Sequence, residues 1–319
     1  MTHQPVAHEN LPAAGYFSAW SLSAGGMADF RLSTVDPATT VALLRLDRAG
    51  DARVDWNVSR TEAALGIQTL DLGAALTLAP DGDLLAAEDW ALRLEFRLSI
   101  APQDRVLVAI QGETGELVLG FDADDLPYLA AGNHRAVAPV PLPVQCWLEV
   151  MLRCHAGACR VAVTDAAGTE IARLNAPIPA FAPQAIAIGR SALPTLRTLN
   201  ASIGRIALES RGLPAASFRI PAVGRPVTLA PSGGTGAALR FHNAPTFAVR
   251  SARWDGTKRD PRRAPEHYDA VALHDDDLDD AGWPVTHRIA VPENAESGVY
   301  GLRVRADGRS VTWPFFVTP

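Results

Sequence analysis

Lysine is nearly missing from this 319-residue chain: Lys258 stands alone, so 28 of the 29 basic residues are arginines. Schiff-base chemistry or a lysine-anchored phosphate site therefore has a single candidate. Cysteine is scarce too, with Cys146, Cys154 and Cys159 only. They form no CxxC pair and no disulfide-dense spacing, the usage expected of small buried thiols in a reducing cytosol, where no bridge is needed. No eighteen apolar residues run together, and the opening MTHQPVAHENLPAAG has neither the basic nor the apolar region of a secretion signal. The expectation is a soluble, cytoplasmic protein. Excess positive charge is also lacking: the net charge is −6, which argues against nucleic acid or an acidic membrane as partner.

What the chain does have is β character. Its 25 glycines and 24 prolines punctuate it about every ten residues, as turn-rich all-β proteins require and helical bundles do not tolerate. The length exceeds what one core usually organises, so two domains are expected. In residues 90–100, Trp90, Leu92, Leu94, Phe96, Leu98 and Ile100 alternate with Arg93, Glu95, Arg97 and Ser99, the period of a half-buried strand. Strand-like runs follow at 105–111, 116–121, 146–154, 160–164, 185–189 and 202–209. Their order, with a Trp147-Leu-Glu-Val strand and a closing Ile203-Gly204-Arg205-Ile206, resembles a lectin-like jelly roll of the concanavalin or laminin-G type.

Three further runs lie near the N-terminus, at 15–22, 27–34 and 41–47, parted by Gly-rich and Asp36-Pro37 turns. Three more, at 286–291, 298–305 and 310–317, have the form of the closing hairpins of an immunoglobulin-like sandwich, with Tyr300 as its corner tyrosine. The fold class expected is all-β: a lectin-like jelly-roll sandwich plus an Ig-like sandwich formed from N- and C-terminal segments. Residues 12–50 supply its first strands, 65–213 the jelly roll, and 220–319 the remainder of the Ig-like part. Three units strung in line are the alternative arrangement.

The run His274-Asp275-Asp276-Asp277-Leu278-Asp279-Asp280-Ala281-Gly282-Trp283 is the most site-like feature, with five aspartates in six positions. Calcium favours oxygen ligands spaced as in Asp275, Asp277 and Asp279, yet an EF-hand loop needs Gly where Asp280 stands and a Glu at its twelfth position. Three readings remain: a solvated turn whose carboxylates bond local N–H groups, a partner or domain contact, and a metal site drawn from His274, Asp275 and Asp277. His267 and His274, with Glu266 beside the first, could supply a two-His-one-carboxylate set, although no established spacing supports it. His134, His155 and His242 lack a paired acid or nucleophile and read as structural. Ser232-Gly233-Gly234-Thr235-Gly236 has no following Gly-Lys-Ser or Gly-Lys-Thr and reads as a flexible connection, not a phosphate cradle. Trp20, Trp56, Trp254 and Trp313 read as buried anchors, with sugar stacking as the alternative. There is no G-x-S-x-G elbow, and no catalytic constellation emerges.

Several C-terminal motifs carry a family resemblance. Trp254-Asp255-Gly256, Arg263-Ala264-Pro265-Glu266-His267-Tyr268-Asp269-Ala270-Val271, the acidic run through Trp283, and the ending Val291-Pro292-Glu293, Ser297-Gly298-Val299-Tyr300 and Pro314-Phe315-Phe316-Val317 resemble the large (beta) subunit of N,N-dimethylformamidase and its relatives. Gly15-Tyr16, Trp20-Ser21-Leu22 and Leu43-Leu44-Arg45-Leu46 resemble the start of the same subunit. The resemblance implies the N-terminal, non-catalytic half of that subunit. In the family a glutamine-amidotransferase-like domain follows the Pro-Phe-Phe-Val strand and holds a mononuclear iron through tyrosine and glutamate side chains. No position here matches those ligands, so the resemblance implies no catalytic or metal residue and no cofactor in this chain, with iron expected in an associated catalytic domain that is separate or missing.

The function implied is thus a structural or assembly subunit of an iron amidohydrolase acting on formamides, a hetero-oligomer with a catalytic partner. Its interface residues would be His274, Asp275, Asp276, Asp277, Asp279, Asp280, Trp283, Arg263, Glu266, His267 and Tyr268. Two other classes stand beside it: a carbohydrate-binding lectin-like module, and a stand-alone metal hydrolase built on His267, His274 and the aspartates.

Overall fold

The structure, a computed structural model, describes residues 3–5, 13–36, 38–47, 50–80, 85, 89–112, 115–177, 183–191, 198–234 and 238–319. It is all-β. The helical element among the described residues is a single 3₁₀ turn, Pro265–His267. The chain divides into two compact units, one covering Asp71–Asp280 and the other joining His3–Leu70 to Ala281–Pro319.

The Asp71–Asp280 unit is a jelly-roll sandwich of two antiparallel sheets. One runs Glu170–Pro177, Ala158–Asp165, Leu148–His155, Asp89–Leu98, Ala201–Ser210, Leu213–Phe218 and Gly233–Gly234, with Ala270–Leu273 paired to the start of Ala201–Ser210 and Thr246–Val249 beside it. The other runs His134–Val137, Pro127–Ala131, Gly115–Phe121, Arg105–Gly112, Ala185–Ile188, Ala75–Leu78, Leu239–His242 and Thr228–Leu229. The alternation around Trp90 gives the inward face: Trp90, Leu92, Leu94, Phe96 and Leu98 are buried, and they meet Leu107, Phe121, Leu129 and Ile188 from the facing sheet. Arg93, Glu95 and Arg97 point the other way.

The second unit is an Ig-like sandwich. Ala13–Phe17, Met27–Thr34, His287–Ala290 and Val58–Arg60 form one sheet. Ser21–Ser23, Arg309–Thr318, Gly298–Ala306, Thr40–Leu46 and Ala52–Arg53 form the other. Phe17 packs on Phe30 at 4.8 Å and on Phe315 at 5.0 Å, with Leu32, Leu302 and Val304 around them. Tyr300 is the corner tyrosine: its hydroxyl donates to the Glu296 carbonyl at 2.8 Å.

Four expectations need correction. Residues 220–280, assigned above to the Ig-like part, belong to the jelly roll, because Leu239–His242 pairs with Ala75–Leu78 and Ala270–Leu273 with Ala201–Ile203. Cys154 and Cys159 are bonded rather than free. They sit directly opposite on the Leu148–His155 and Ala158–Asp165 hairpin with Cα atoms 4.2 Å apart, a cross-strand pair that spacing in sequence alone does not reveal. Cys146 is free and exposed. The run at 15–22 is two strands, Ala13–Phe17 and Ser21–Ser23, in different sheets, and Trp20 between them is exposed instead of buried. Finally, Gly233–Gly234 is a strand paired with Ala216 and Ser217, and the Ser232 amide donates to the Ser217 carbonyl at 2.7 Å, so this end of the expected flexible connection is fixed. Thr235 and Gly236, like Pro37 of the Asp36-Pro37 turn, lie outside the described residues.

Candidate functional site

The acidic run begins where the Ala270–Leu273 strand ends, and its backbone is pinned on both sides. Gly73 donates to the Asp277 carbonyl at 2.8 Å and Ala74 to the His274 carbonyl at 2.9 Å. Gly73 holds φ +96°, and a Cβ there would lie 2.2 Å from Thr198 Oγ1, so only glycine brings this backbone against the loop. Asp277 Oδ2 accepts from the His274 amide at 3.0 Å and lies 3.1 Å from its Nδ1, a local turn that caps the loop. Asp275 turns inward: its amide donates to Asn200 Oδ1 at 3.0 Å, and its carboxylate accepts from Arg105 Nη2 at 2.8 Å. Arg105 is itself buried and also donates to the Thr198 carbonyl. Burial alone would raise the Asp275 carboxyl, but hydrogen bonding with Asn200 and Arg105 and the Arg105 charge hold it below the usual carboxylate range.

His274 and Asp277 are therefore together, whereas Asp275 faces an arginine, a neighbour that would repel a cation. No group of three His, Cys, Asp or Glu side chains converges among the described residues, and the drawn metal set is not assembled. The donors present do not fit an iron either. Asp276, Asp279 and Asp280 face solvent. Upstream, Arg263 and Glu266 are exposed, His267 Nδ1 lies 3.5 Å from Asp255 Oδ1, and Tyr268 donates to the Lys258 carbonyl at 2.9 Å. Trp283 belongs to the Ig-like unit. There its indole N–H donates to the Thr69 carbonyl at 2.9 Å, and its own carbonyl accepts from Arg31 Nε at 2.7 Å.

A second constellation went unread in the sequence. Asp269, next to Tyr268, is 1% exposed and accepts from Arg253 Nε and Nη2 at 3.1 and 2.8 Å and from Arg219 Nε at 3.1 Å, with Arg205 Nε 3.9 Å away. The far side of Arg253 donates from Nη1 to both Glu95 oxygens at 2.9 Å. Burial works against the Arg253 charge, yet its bonds to Asp269 and Glu95 outweigh it and raise the guanidinium above its ordinary value. The network rests on a β-bulge. Register between Asp89–Leu98 and Ala201–Ser210 shifts so that Glu95 opposes two residues, Gly204 and Arg205, and Arg205 N–H donates to Glu95 Oε2 at 3.1 Å. A Cβ on Gly204 would lie 3.1 Å from Glu95 Cβ and 2.7 Å from Oε2, so glycine admits the carboxylate. The two Gly204-Arg205 and Glu95 signals were visible in sequence, as a glycine inside a strand and an acid on its polar face, but their meeting was not.

Over this bulged sheet face lies a groove of about 340 Å³ whose walls include Arg93, Glu149, Arg205, Ser217, Arg219 and Ser232. Arg93 and Glu149 are paired across neighbouring strands at 2.6 Å.

Comparison with known proteins points to one family. Residues 246–319 match the family described as N,N-dimethylformamidase beta subunit-like, C-terminal. The N,N-dimethylformamidase beta subunit of an Alcaligenes species is 33% identical over 88 residues, which are 28% of this chain and 12% of that protein. That of Paracoccus aminophilus is 31% identical over 77 residues, 24% of this chain and 10% of that protein. Each match thus spans about a tenth of the relative's length. Among solved structures, a Bacteroides ovatus protein provisionally described as carbohydrate-binding is similar with a TM-score of 0.41 and 11% identity, covering 72% of this chain and 85% of that one. A glycoside hydrolase family 54 arabinofuranosidase reaches a TM-score of 0.25 at 13% identity, over 61% and 45% of the two chains. Neither likeness bears on function. Asp269, the acidic run and Trp283 all fall within the matched segment, so over residues 246–319 this chain is similar to the C-terminal part described for N,N-dimethylformamidase beta subunit-like proteins.

Proposed function

We propose that this chain is a non-catalytic assembly part of a dimethylformamidase-like amidohydrolase, docking a separate glutamine-amidotransferase-like catalytic domain or subunit. The observation that carries this reading is the match of residues 246–319 to the beta subunit-like family. The loop geometry agrees with a docking role: Asp275 and Asp277 are used internally to fix the run, while Asp276 and Asp279 are exposed on a held backbone. Such a surface favours a partner with compensating positive charge, since complementary charge steers and registers an interface. Iron belongs in this reading to the catalytic partner, and the assembly is placed in the cytoplasm.

Co-expression with a dimethylformamidase-type catalytic chain tests the proposal. Co-purification of the two, with formamide hydrolysis and iron confined to the complex, is the expected result. Hydrolysis of N,N-dimethylformamide by the isolated chain would overturn it.

A further inference from the structure

We infer that the groove over the bulged sheet face of the jelly roll is a binding site for a small oxyanion, a carboxylate or phosphoryl group held by Arg205 and Arg219. The chain carries −6 overall, yet the groove and its floor bring together Arg93, Arg205, Arg219 and Arg253 against Glu95, Glu149 and Asp269. Arg93 and Glu149 neutralise one another, and Arg253 lies between Glu95 and Asp269. Two carboxylates then face three guanidiniums, and one positive charge is surplus.

That surplus sits where a ligand can reach it. Arg219 commits Nε to Asp269, and Arg205 points its Nε at the same oxygen, while about half of each side chain is exposed along the groove. The Nη groups of both make no hydrogen bond among the described residues. Asp269 is the built element: a fully buried carboxylate, anchored from behind by Arg253, that fixes the Arg219 fork by a hydrogen bond and draws Arg205 toward it by charge before any ligand arrives. Planar guanidinium forks match carboxylate and phosphate oxygens in pairs, and preorganised ones lose less freedom on binding. Ser232 and Ser217 add hydroxyls 3.5 Å apart on the wall. The volume of about 340 Å³ suits a ligand of monosaccharide or smaller size.

Calorimetric titration of the full chain with glucuronate and, separately, with inorganic phosphate tests the inference. Saturable binding of either supports it; glucuronate alone assigns the groove to carboxylates, phosphate alone to phosphoryl groups. Arg219→Gln and Arg205→Gln are each expected to weaken binding about tenfold or more. Ser232→Asp, which adds a negative charge to the wall without touching Asp269, should abolish binding while the protein still melts in a cooperative transition, whereas Arg309→Gln in the Ig-like unit should do nothing. Absence of binding by both anions, or binding that Arg219→Gln and Ser232→Asp leave intact, would overturn the assignment. The titration needs no catalytic partner, so its failure is separable from failure of the assembly reading.

Discussion

Arg105 and Asp275 meet at 2.8 Å, a buried guanidinium on one sheet holding the second residue of the acidic loop. Arg105→Met should remove this bond and leave the Thr198 carbonyl without its donor, lowering stability by about 2–3 kcal/mol. Asp275→Asn should cost less, about 1 kcal/mol, because that carboxylate is over a third exposed and partly screened. The Asp275 carboxyl is depressed in the fold, so its contribution is present above the ordinary carboxylate range and is lost as pH falls through the folded value. Denaturant titrations of wild type and Asp275→Asn should therefore converge at low pH; a constant gap down to acid would show that the charge is not what matters.

Gly73→Ala should be among the costliest single-methyl additions. It combines a positive φ with overlap on Thr198, together worth about 2–4 kcal/mol. Its loop should loosen as well, read as faster amide exchange at Gly73 and Ala74. A melting point equal to wild type would contradict the close approach.

Removal of Asp269 leaves Arg253 and Arg219 without their shared acceptor in a buried site. Asp269→Asn should destabilise by about 3 kcal/mol or more, and Glu95→Gln by less, since Glu95 is the more exposed end of the network. A double variant with Arg253→Met should cost less than the two single losses added together. Simple additivity in that cycle would mean the three residues do not act as one unit.

His287 in the Ig-like unit and His242 in the jelly roll are both held below the ordinary imidazole value, His287 by burial and the Arg60 charge, His242 by burial and the charges of Arg190 and Arg240. The unfolded chain takes up protons first as pH drops, so stability is full above about pH 6.5 and declines as pH falls from there through the folded values. Thermal midpoints across that range should fall, and His287→Gln should flatten the fall for its unit. An unchanged slope in that variant would refute the assignment.

Thiol counting checks the hairpin bridge. Unreduced, denatured protein should show one reactive thiol, Cys146, and reduction should expose all three cysteines. Three thiols before reduction would show that Cys154 and Cys159 are not joined under the conditions of preparation, as a reducing compartment would ensure.

The strands were legible wherever one face meets a core and the other meets water. Trp90 to Leu98 announces itself by alternation, and Met27–Thr34 and Gly298–Ala306 fall close to their expected bounds. The Leu213–Phe218 strand was missed because Pro214 and a bulge that leaves Ala215 unpaired break its pattern. The acidic run was found as a charge cluster, but its internal use by Arg105 and Gly73 depends on residues 170 or more positions away. Glu95 looked like one more solvent-facing acid, since its partners Arg205 and Arg253 are 110 and 158 residues distant. Periodicity reports which face a side chain occupies; it is silent on what a different strand brings to that face.

The joining of residues 3–70 to 281–319 also sets an order of events during synthesis. Met27–Thr34 finds its neighbour His287–Ala290, and Phe17 finds Phe315, only after the whole intervening jelly roll has left the ribosome. At ordinary elongation rates that delay is on the order of tens of seconds. Throughout it, Phe17, Phe30 and Leu32 lack the Gly298–Ala306 and Arg309–Thr318 strands of the opposing sheet, so the first strands to be made are the last to be fully sheltered, and the nascent N-terminal segment is where chaperone dependence and aggregation of this protein should originate.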